Sequence, residues 1–272
     1  MFEDREYFSY IDKGELYGAQ KYAIEHTPDY LYKFYSLSDG KSCKAKRLDK
    51  KKLLTLERNQ SWFDLSKNQN DPLDMRMAYV DEKEDVDCSQ IDLARELLSK
   101  SRDCFLLSSF GDTNEYDLPM WQFYANAHQG YCIKYKITKK HLLWKVMYSE
   151  DRLPVLSIPL NLLHEMKESD AAGKETFELQ IYRHYLLMLM CAKHTSWKQE
   201  KEYRVLYPAE SDHGQNISNE LIGIVPEALY IGMNCCKGYK KKLKGICLNA
   251  LHCNCYQAFI SETKILDFQL VE

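Results

Sequence analysis

The sequence predicts a protein of the α+β class, and three observations support this prediction. Strand-like and helix-like segments are mixed along the 272 residues of the chain. The segment YCIKYKI (131–137) alternates in polarity, which is typical of a half-buried strand. The chain has no internal repeat and no linker rich in proline, glycine and serine. We therefore predict a helical extension over residues 1–29 and a single α+β domain over residues 30–272.

The first third of the chain predicts short elements. Residues 1–28 are partly amphipathic and predict helix, and LYKFYSL (31–37) predicts a strand. A helix is predicted near 48–58. WFDLSKNQNDPLD (62–74) predicts a strand that runs into a turn, because Asn-Asp-Pro is a strong turn sequence. A charged linker then leads into a helix over IDLARELLSKSR (91–102).

The rest of the chain carries longer elements. CFLLSSF (104–110) predicts an apolar strand, and MWQFYANAH (120–128) predicts a short helix that Gly130 ends. Apolar residues at helical spacing predict the main core helix over 171–194. Further strands are predicted at 144–149, 220–225, 228–233, 256–260 and 265–271, with a lysine-rich helix over 238–251.

Charge and cysteine content limit the environment and the partners. The net charge of −3 gives no global attraction for nucleic acid. Two basic runs, Lys44 to Lys52 and Lys237 to Lys244, are typical of solvated faces, with a phosphate-tracking groove as the alternative. The ten cysteines follow no secretory signal and no apolar run reaches 18 residues, so we predict reduced thiols, a cytoplasmic location and no membrane. The spacing of the cysteines at 235–255 does not fit zinc, and no structural metal is expected.

The chain lacks the known catalytic signatures, so any chemistry must combine side chains from several segments. Asn70-Asp71-Pro72 predicts either a capped turn or a contact with a sugar or base. Trp121, Tyr124 and His128 share one face of the predicted helix, which fits a core face or a ligand-binding face.

The stretch WKQEKEYRVLY (197–207) raises a similar choice. Glu200, Glu202 and Arg204 occupy every second position, so a strand would place all three on one face. They would form either an exposed edge with surface ion pairs or the floor of a ligand pocket.

Five segments, taken in order, resemble the bacterial domain-of-unknown-function family 2971. They are LYKFYSL, WFDLSKNQNDPLD, SSF, MWQFYANAHQGYCI and KHTSWKQEKEYRVL, and the resemblance covers roughly residues 30–235. The family pattern has arginine at the position of Tyr35. More distantly, EKEYRVL is similar to the Glu-x-Glu element of ADP-ribosyltransferases. That likeness implies a bent or split, mostly antiparallel sheet, flanked by helices, that clamps NAD.

The same resemblance implies roles for individual residues. Glu202 would stabilise the positive charge that develops on the ribose, and Glu200 would take a proton from the acceptor. The implied catalytic residues are Glu202, Glu200 and His128. The implied cofactor-binding residues, with NAD as the substrate, are Lys33, Tyr35, Asn70, Asp71, Trp121, Tyr124 and Arg204.

Three functions therefore stay open. The first is an NAD-consuming enzyme, an ADP-ribosyltransferase or NAD glycohydrolase, acting as a bacterial toxin or anti-phage defence effector. The second is a non-catalytic module of a defence system that senses a nucleotide or a protein ligand. The third is a metal-dependent nuclease in which Asp71, His128, Glu200 and Glu202 hold a divalent cation. The expected partner is a nucleotide-type small molecule; the sequence does not identify a macromolecular acceptor, and nucleic acid stays an option.

Overall fold

The computed structural model describes residues 4–69, 71, 73–82 and 86–271. The helices are α1 (Asp4–Asp12), α2 (Leu16–His26), α3 (Cys43–Glu57), α4 (Cys88–Asp103), α5 (Leu118–Phe123), α6 (Ser157–Ala172), α7 (Phe177–Met190) and α8 (Lys237–Ile246). The first seven strands are β1 (Tyr30–Tyr35), β2 (Gln60–Leu65), β3 (Ala78–Tyr79), β4 (Phe105–Gly111), β5 (Tyr131–Ile137), β6 (Leu143–Lys145) and β7 (Met147–Ser149). The others are β8 (Leu153–Pro154), β9 (Ala192–His194), β10 (Glu202–Pro208), β11 (Gln215–Ser218), β12 (Ile224–Ile231), β13 (Asn254–Phe259) and β14 (Asp267–Leu270).

The main sheet confirms the predicted α+β class. Its strand order is β11-β2-β4-β1-β5-β12-β13-β14, and β10 bridges β4 to β6 outside this path. All of its pairings are antiparallel except that between β12 and β13, and the sheet does not close on itself. No helix among the described residues is long and apolar enough to cross a membrane.

The sheet splits between β1 and β4. These two strands share one register pair, Tyr32 opposite Gly111, whereas β1 pairs with β5 over its full length. On the same edge of β4, Leu106 and Leu107 pair with β2. Between those two attachments, Ser108, Ser109 and Phe110 pair only with β10, on the opposite edge. Unpaired strand edges expose backbone donors and acceptors, so the split opens a polar gap inside the sheet.

Separate apolar clusters cover the faces of the sheet. Helices α3 and α8 supply Leu53, Leu56 and Leu243 to a core that includes Tyr131 and Ile133 of β5. On the other face, α5 places Trp121 against β1 and β5, in a second core. Helices α4, α6 and α7 pack together beside β4 and β10. Helices α1 and α2 pack against α7, β6 and β7.

Two predicted helices differ from those observed. The helix expected over 171–194 is two helices, because Gly173 ends α6 in the left-handed conformation (φ 65°) and Thr176 caps α7. After Met190, where the predicted helix would continue, the chain forms the short strand β9. The helix expected over 120–128 ends at Phe123 in α5, since the three residues 126–128 all have positive φ.

Candidate functional site

A pocket of about 760 Å³ lies where β1 and β4 separate. Strand β1 contributes Lys33 and Tyr35 to its wall, and the unpaired edge of β4 contributes Ser108 and Ser109. Helix α3 and strand β2 form a second wall. The volume falls within the range of small-molecule pockets, which is roughly 300–1,000 Å³. The split in the sheet therefore holds a pocket large enough for a small molecule.

The pocket floor is a buried ion-pair network. Lys193 Nζ lies 2.7 Å from Glu200 Oε2 and 3.1 Å from Glu202 Oε2. Arg204 Nε donates to Glu202 Oε1 at 2.7 Å, and a terminal nitrogen of Arg204 donates to Asp74 Oδ2 at 2.9 Å. Another terminal nitrogen of Arg204 donates to the carbonyl oxygen of Met190 at 3.0 Å, so the guanidinium is held on three sides. We call these five side chains, Asp74, Lys193, Glu200, Glu202 and Arg204, the floor network.

Local backbone structure brings the two glutamates together, although they do not share a strand. Residues Thr195–Glu200 form a 3₁₀ turn that His194 caps by accepting from the backbone N–H of Ser196 at 3.2 Å. Lys201 then adopts the left-handed conformation (φ 45°), and β10 begins at Glu202. The predicted strand alternation is therefore wrong at Glu200. Its carboxylate reaches the floor, where Lys193, the middle residue of β9, binds both glutamates.

The opposite charges of the floor network stabilise one another in their ionised forms. Burial alone would raise the pKa of Glu202, but Arg204 and Lys193 outweigh it and hold that pKa well below the ordinary value of 4.5. Burial would lower the pKa of Lys193, yet the carboxylates of Glu202 and Glu200 raise it. The pKa of Arg204 is raised in the same way, against burial, by Glu202 and Asp74. Glu202 is thus an ionised carboxylate fixed by two cations.

Two tyrosine hydroxyls form hydrogen bonds with the glutamates of the floor network. The hydroxyl of Tyr124 donates a short hydrogen bond to Glu200 Oε1. Burial, and then the bond to Glu200, raises the pKa of Tyr124, so its hydroxyl keeps its proton. The backbone N–H of Glu202 donates to the hydroxyl of Tyr148 at 3.0 Å. Trp197 forms a further side of the pocket, with its ring 5.0 Å from Lys193 Nζ.

Lys33 differs from the other cations around the floor. Its ammonium donates to Ser108 Oγ and lies 4.8 Å from the ring centre of Phe110. No carboxylate in the described part of the chain lies within ion-pair distance of its Nζ. Burial lowers the pKa of Lys33 to about 8, and Glu202 only partly opposes that effect. Lys33 is therefore a cation that can still accept an anionic partner.

The predicted site residues fall into three groups. The pocket is lined by Lys33, Tyr35, Asp71, Tyr124, Glu200 and Glu202. Arg204 is fully buried beneath the floor and supports Glu202 without lining the pocket. Trp121 and His128 lie outside the pocket, and Asn70 lies outside the described residues.

Trp121 and His128 lie in the core, which is one of the two environments that the sequence left open. Trp121 is fully buried, and its indole N–H donates to the carbonyl oxygen of Glu115 at 2.7 Å. The imidazole of His128 stacks on the indole with ring centres 5.2 Å apart. Burial lowers the pKa of His128, so the ring is neutral at neutral pH. The predicted shared helical face is wrong, and the core interpretation fits both side chains.

Tyr35 and Asp71 have partners inside the protein as well as a surface in the pocket. The hydroxyl of Tyr35 lies 3.1 Å from that of Tyr135, and its ring stacks on Tyr131. Asp71 accepts from the backbone N–H of Leu73 at 2.8 Å, as expected of a turn cap. The pocket also uses Asp74 and Ser108, which sequence reasoning did not select as site residues. Lys193 and Trp197 line it as well; both belong to the segment KHTSWKQEKEYRVL but were not assigned a role. Lys193 carried a signal, since it precedes Trp197 by four residues in the same motif.

Metal ligation finds no support among the described residues. No group of three or more His, Cys, Asp or Glu side chains there is arranged to hold a metal ion. The ten cysteines, all described, are free thiols. The expectation that the protein has no structural metal stays a prediction.

The fold and the pocket define an α+β protein with a deep, charged pocket in a split sheet. Residues 120–205 match the model of the family described as "Protein of unknown function (DUF2971)". The match runs from α5 into β10 and includes four of the five floor-network residues, so it confirms the family resemblance over this segment. No curated protein and no solved structure matches the chain.

Proposed function

We propose that the protein is an NAD-consuming enzyme, with the chemistry of an ADP-ribosyltransferase or an NAD glycohydrolase. One observation carries this proposal: two buried carboxylates, Glu200 and Glu202, are held side by side by Lys193 at the floor of a nucleotide-sized pocket. We further propose that it acts in the bacterial cytoplasm as a toxin or an anti-phage defence effector, with a macromolecule or water as the acceptor.

The proposed reaction breaks the bond between nicotinamide and ribose. Nicotinamide leaves with the bonding electron pair, and the ribose develops oxocarbenium character, which a nearby carboxylate stabilises. The acceptor oxygen then bonds to the ribose carbon and releases its proton to Glu200. Both partners of Glu200, Lys193 and Tyr124, are donors that hold the carboxylate in place.

The geometry favours Glu200 over Glu202 as the reacting carboxylate. Each oxygen of Glu200 accepts from one donor, whereas both oxygens of Glu202 accept from Arg204 and one of them also accepts from Lys193. Glu202 therefore supplies fixed negative charge beneath the ribose. Lys33 is positioned for a phosphate group, because it is a cation in the pocket wall without a carboxylate partner.

Glu200→Gln tests the proposal directly. Purified wild-type protein is expected to release nicotinamide from NAD. The rate of release by the variant should be lower by a factor of at least about 100, because general-base catalysis typically contributes roughly 10²–10⁴-fold. The amide can still accept from Tyr124, so the fold is expected to persist. Glu175→Gln, at an exposed ion pair with Arg183, is the matched control and should keep full activity.

Absence of activity would contradict the proposal in a defined way. The proposal fails if wild-type protein releases no nicotinamide with water or with added protein acceptors, and NAD does not raise its melting temperature. Equal rates for wild type and Glu200→Gln would instead reject the assignment of Glu200.

A second candidate is a module that senses a nucleotide without turnover. It is favoured by the saturation of Glu202, whose oxygens are all engaged in the floor network. NAD binding with no nicotinamide release would select it. The nuclease is not proposed, because His128 lies outside the pocket that contains Asp71, Glu200 and Glu202.

A further inference from the structure

The outer part of the pocket differs chemically from the floor. Helix α3 turns one face towards the pocket, formed by Leu48, Lys51, Thr55 and Arg58 at helical spacing. The opposite side of α3 is anchored by buried Asp49, Leu53 and Leu56. The pocket-facing residues Leu48, Lys51, Leu54 and Arg58 are exposed, as is Trp62 of β2. We call these five residues the pocket mouth.

Trp62 presents a fixed aromatic surface at the mouth. Its side chain is 48% exposed, which is high for a tryptophan. Its indole N–H donates to Asp64 Oδ2 at 3.1 Å, and one side of its ring rests on Gly214, where an added Cβ would overlap the ring. The ring is thus oriented by its neighbours while much of its surface stays open. Flat bases stack on such surfaces.

The cations of the mouth are available to an anion. Lys51 and Arg58 are exposed, and no carboxylate in the described ranges pairs with either of them. Lys52, in contrast, donates to the carbonyl and hydroxyl oxygens of Ser36 at 2.7 and 2.8 Å. Helix α3 has six basic and two acidic residues, a net charge of +4 in a chain whose net charge is −3. Positive potential is therefore concentrated beside an open aromatic ring.

We infer that the pocket mouth binds the base and phosphate end of a nucleotide, with the base on Trp62 and the phosphates on Lys51 and Arg58. The inference rests on the proposed nucleotide pocket. It also fixes the orientation of the ligand in the pocket, because the reacting sugar then lies at the floor network. Lys33 lines the wall of the same pocket and is a further cation there. Of the basic run in α3, Lys51 thereby contributes to a phosphate site together with Arg58.

The experiment measures binding of ADP, adenosine and NAD by calorimetry to the full chain. In the double variant Lys51→Gln, Arg58→Gln, we expect the binding of ADP to weaken at least about tenfold and the binding of adenosine to weaken by less than about twofold. Trp62→Ala is expected to weaken the binding of ADP and the binding of adenosine to the same extent, by at least about fivefold. The matched control is Lys46→Gln combined with Lys50→Gln, two cations of the same helix that do not line the pocket. It should bind all three ligands as the wild type does.

Each outcome has one meaning. If wild-type protein does not bind ADP, or if the mouth variants bind it unchanged, the inference is overturned even where NAD is cleaved. If ADP binding depends on the mouth but no nicotinamide is released, the inference stands and the proposed reaction fails. Circular dichroism of the variants confirms that exposed substitutions leave the fold intact.

Discussion

Arg204 is the residue on which the floor network depends. Its guanidinium is 0% exposed and is compensated by Glu202, Asp74 and the carbonyl oxygen of Met190. Breaking a buried pair leaves an uncompensated charge, which typically costs about 3–5 kcal/mol. We therefore expect Arg204→Met to lower the free energy of unfolding by that amount in urea titrations. Arg183→Met, at an exposed ion pair with Glu175, should change it by at most about 1 kcal/mol.

The acid limb of the stability profile gives a second measurement of the same effect. The pKa of Glu202 is lower in the folded protein than its ordinary value of 4.5. This difference stabilises the fold above that ordinary value, and the stabilisation is lost as the pH falls towards the folded-state pKa. Arg204→Met should flatten the loss of stability in acid, because Glu202 then loses its main cation. A variant as stable as wild type, with an unchanged acid limb, would contradict this account of the floor.

At the residue scale, sequence reasoning located the floor better than the walls. Glu200, Glu202 and Arg204 do lie together, but the reason was wrong, because Lys201 interrupts the strand that alternation assumed. The positive-φ residues 126–128 end the helical geometry before His128, and Trp121 is buried in the core instead of lining the pocket. None of these is glycine, so the local signal for the turn is weak, although asparagine and histidine adopt positive φ more often than most residues. Contacts such as Asp74 with Arg204 join distant segments, which spacing alone does not reveal.

At the element scale, Gly130 decides how α5 and β5 approach β1. A Cβ at this position would overlap the backbone carbonyl oxygen of Tyr35, and the next neighbours are also main-chain atoms. Neither strand can yield without breaking its pairing with the other. We expect Gly130→Ala to lower the free energy of unfolding by about 3 kcal/mol, at the upper end of overpacking costs, in chemical denaturation.

Gly238 in α8 provides the matched control, since an added Cβ there meets no atom within 4 Å. Gly238→Ala should stabilise the protein by up to about 1 kcal/mol, because alanine favours helix over glycine. Equal effects of the two substitutions would show that the contact at Tyr35 is not limiting.

The elements themselves could be predicted where the local signal is complete. The alternating strand at 131–137 agrees with β5 in both bounds. The break between α6 and α7 also had a signal, since Gly173 and Thr176 are a helix stop and a helix cap. The apolar periodicity of the residues on both sides of this break nevertheless led us to predict one continuous helix. The three partners of β4, which create the pocket, follow from long-range pairing that no local pattern encodes.

At the scale of the whole molecule, one apolar core spans both sides of the pocket. Leu31 of β1 and Ile133 of β5 share this core with Phe110 of β4 and Val205 of β10, and helices α3 and α8 contribute to it. Helices α4, α6 and α7 form a second cluster beside β4 and β10. The split is therefore a gap in backbone pairing and not a gap in the core, so we expect the strands on its two sides to unfold together.

The N-terminal helices test how far this cooperativity extends, because the division at residue 29 is still a prediction. Ile11 is 2% exposed, in a cluster with Met188 of α7, Trp144 of β6 and Met147 of β7. If the extension shares one core with the rest, Ile11→Ala should lower the free energy of unfolding by about 2–5 kcal/mol. Tryptophan fluorescence in urea measures this, since all four tryptophans lie after residue 29. Tyr17→Ala, at a side chain that is 81% exposed, should leave the transition unchanged. An unchanged fluorescence transition for Ile11→Ala would mean that the extension unfolds independently of the sheet.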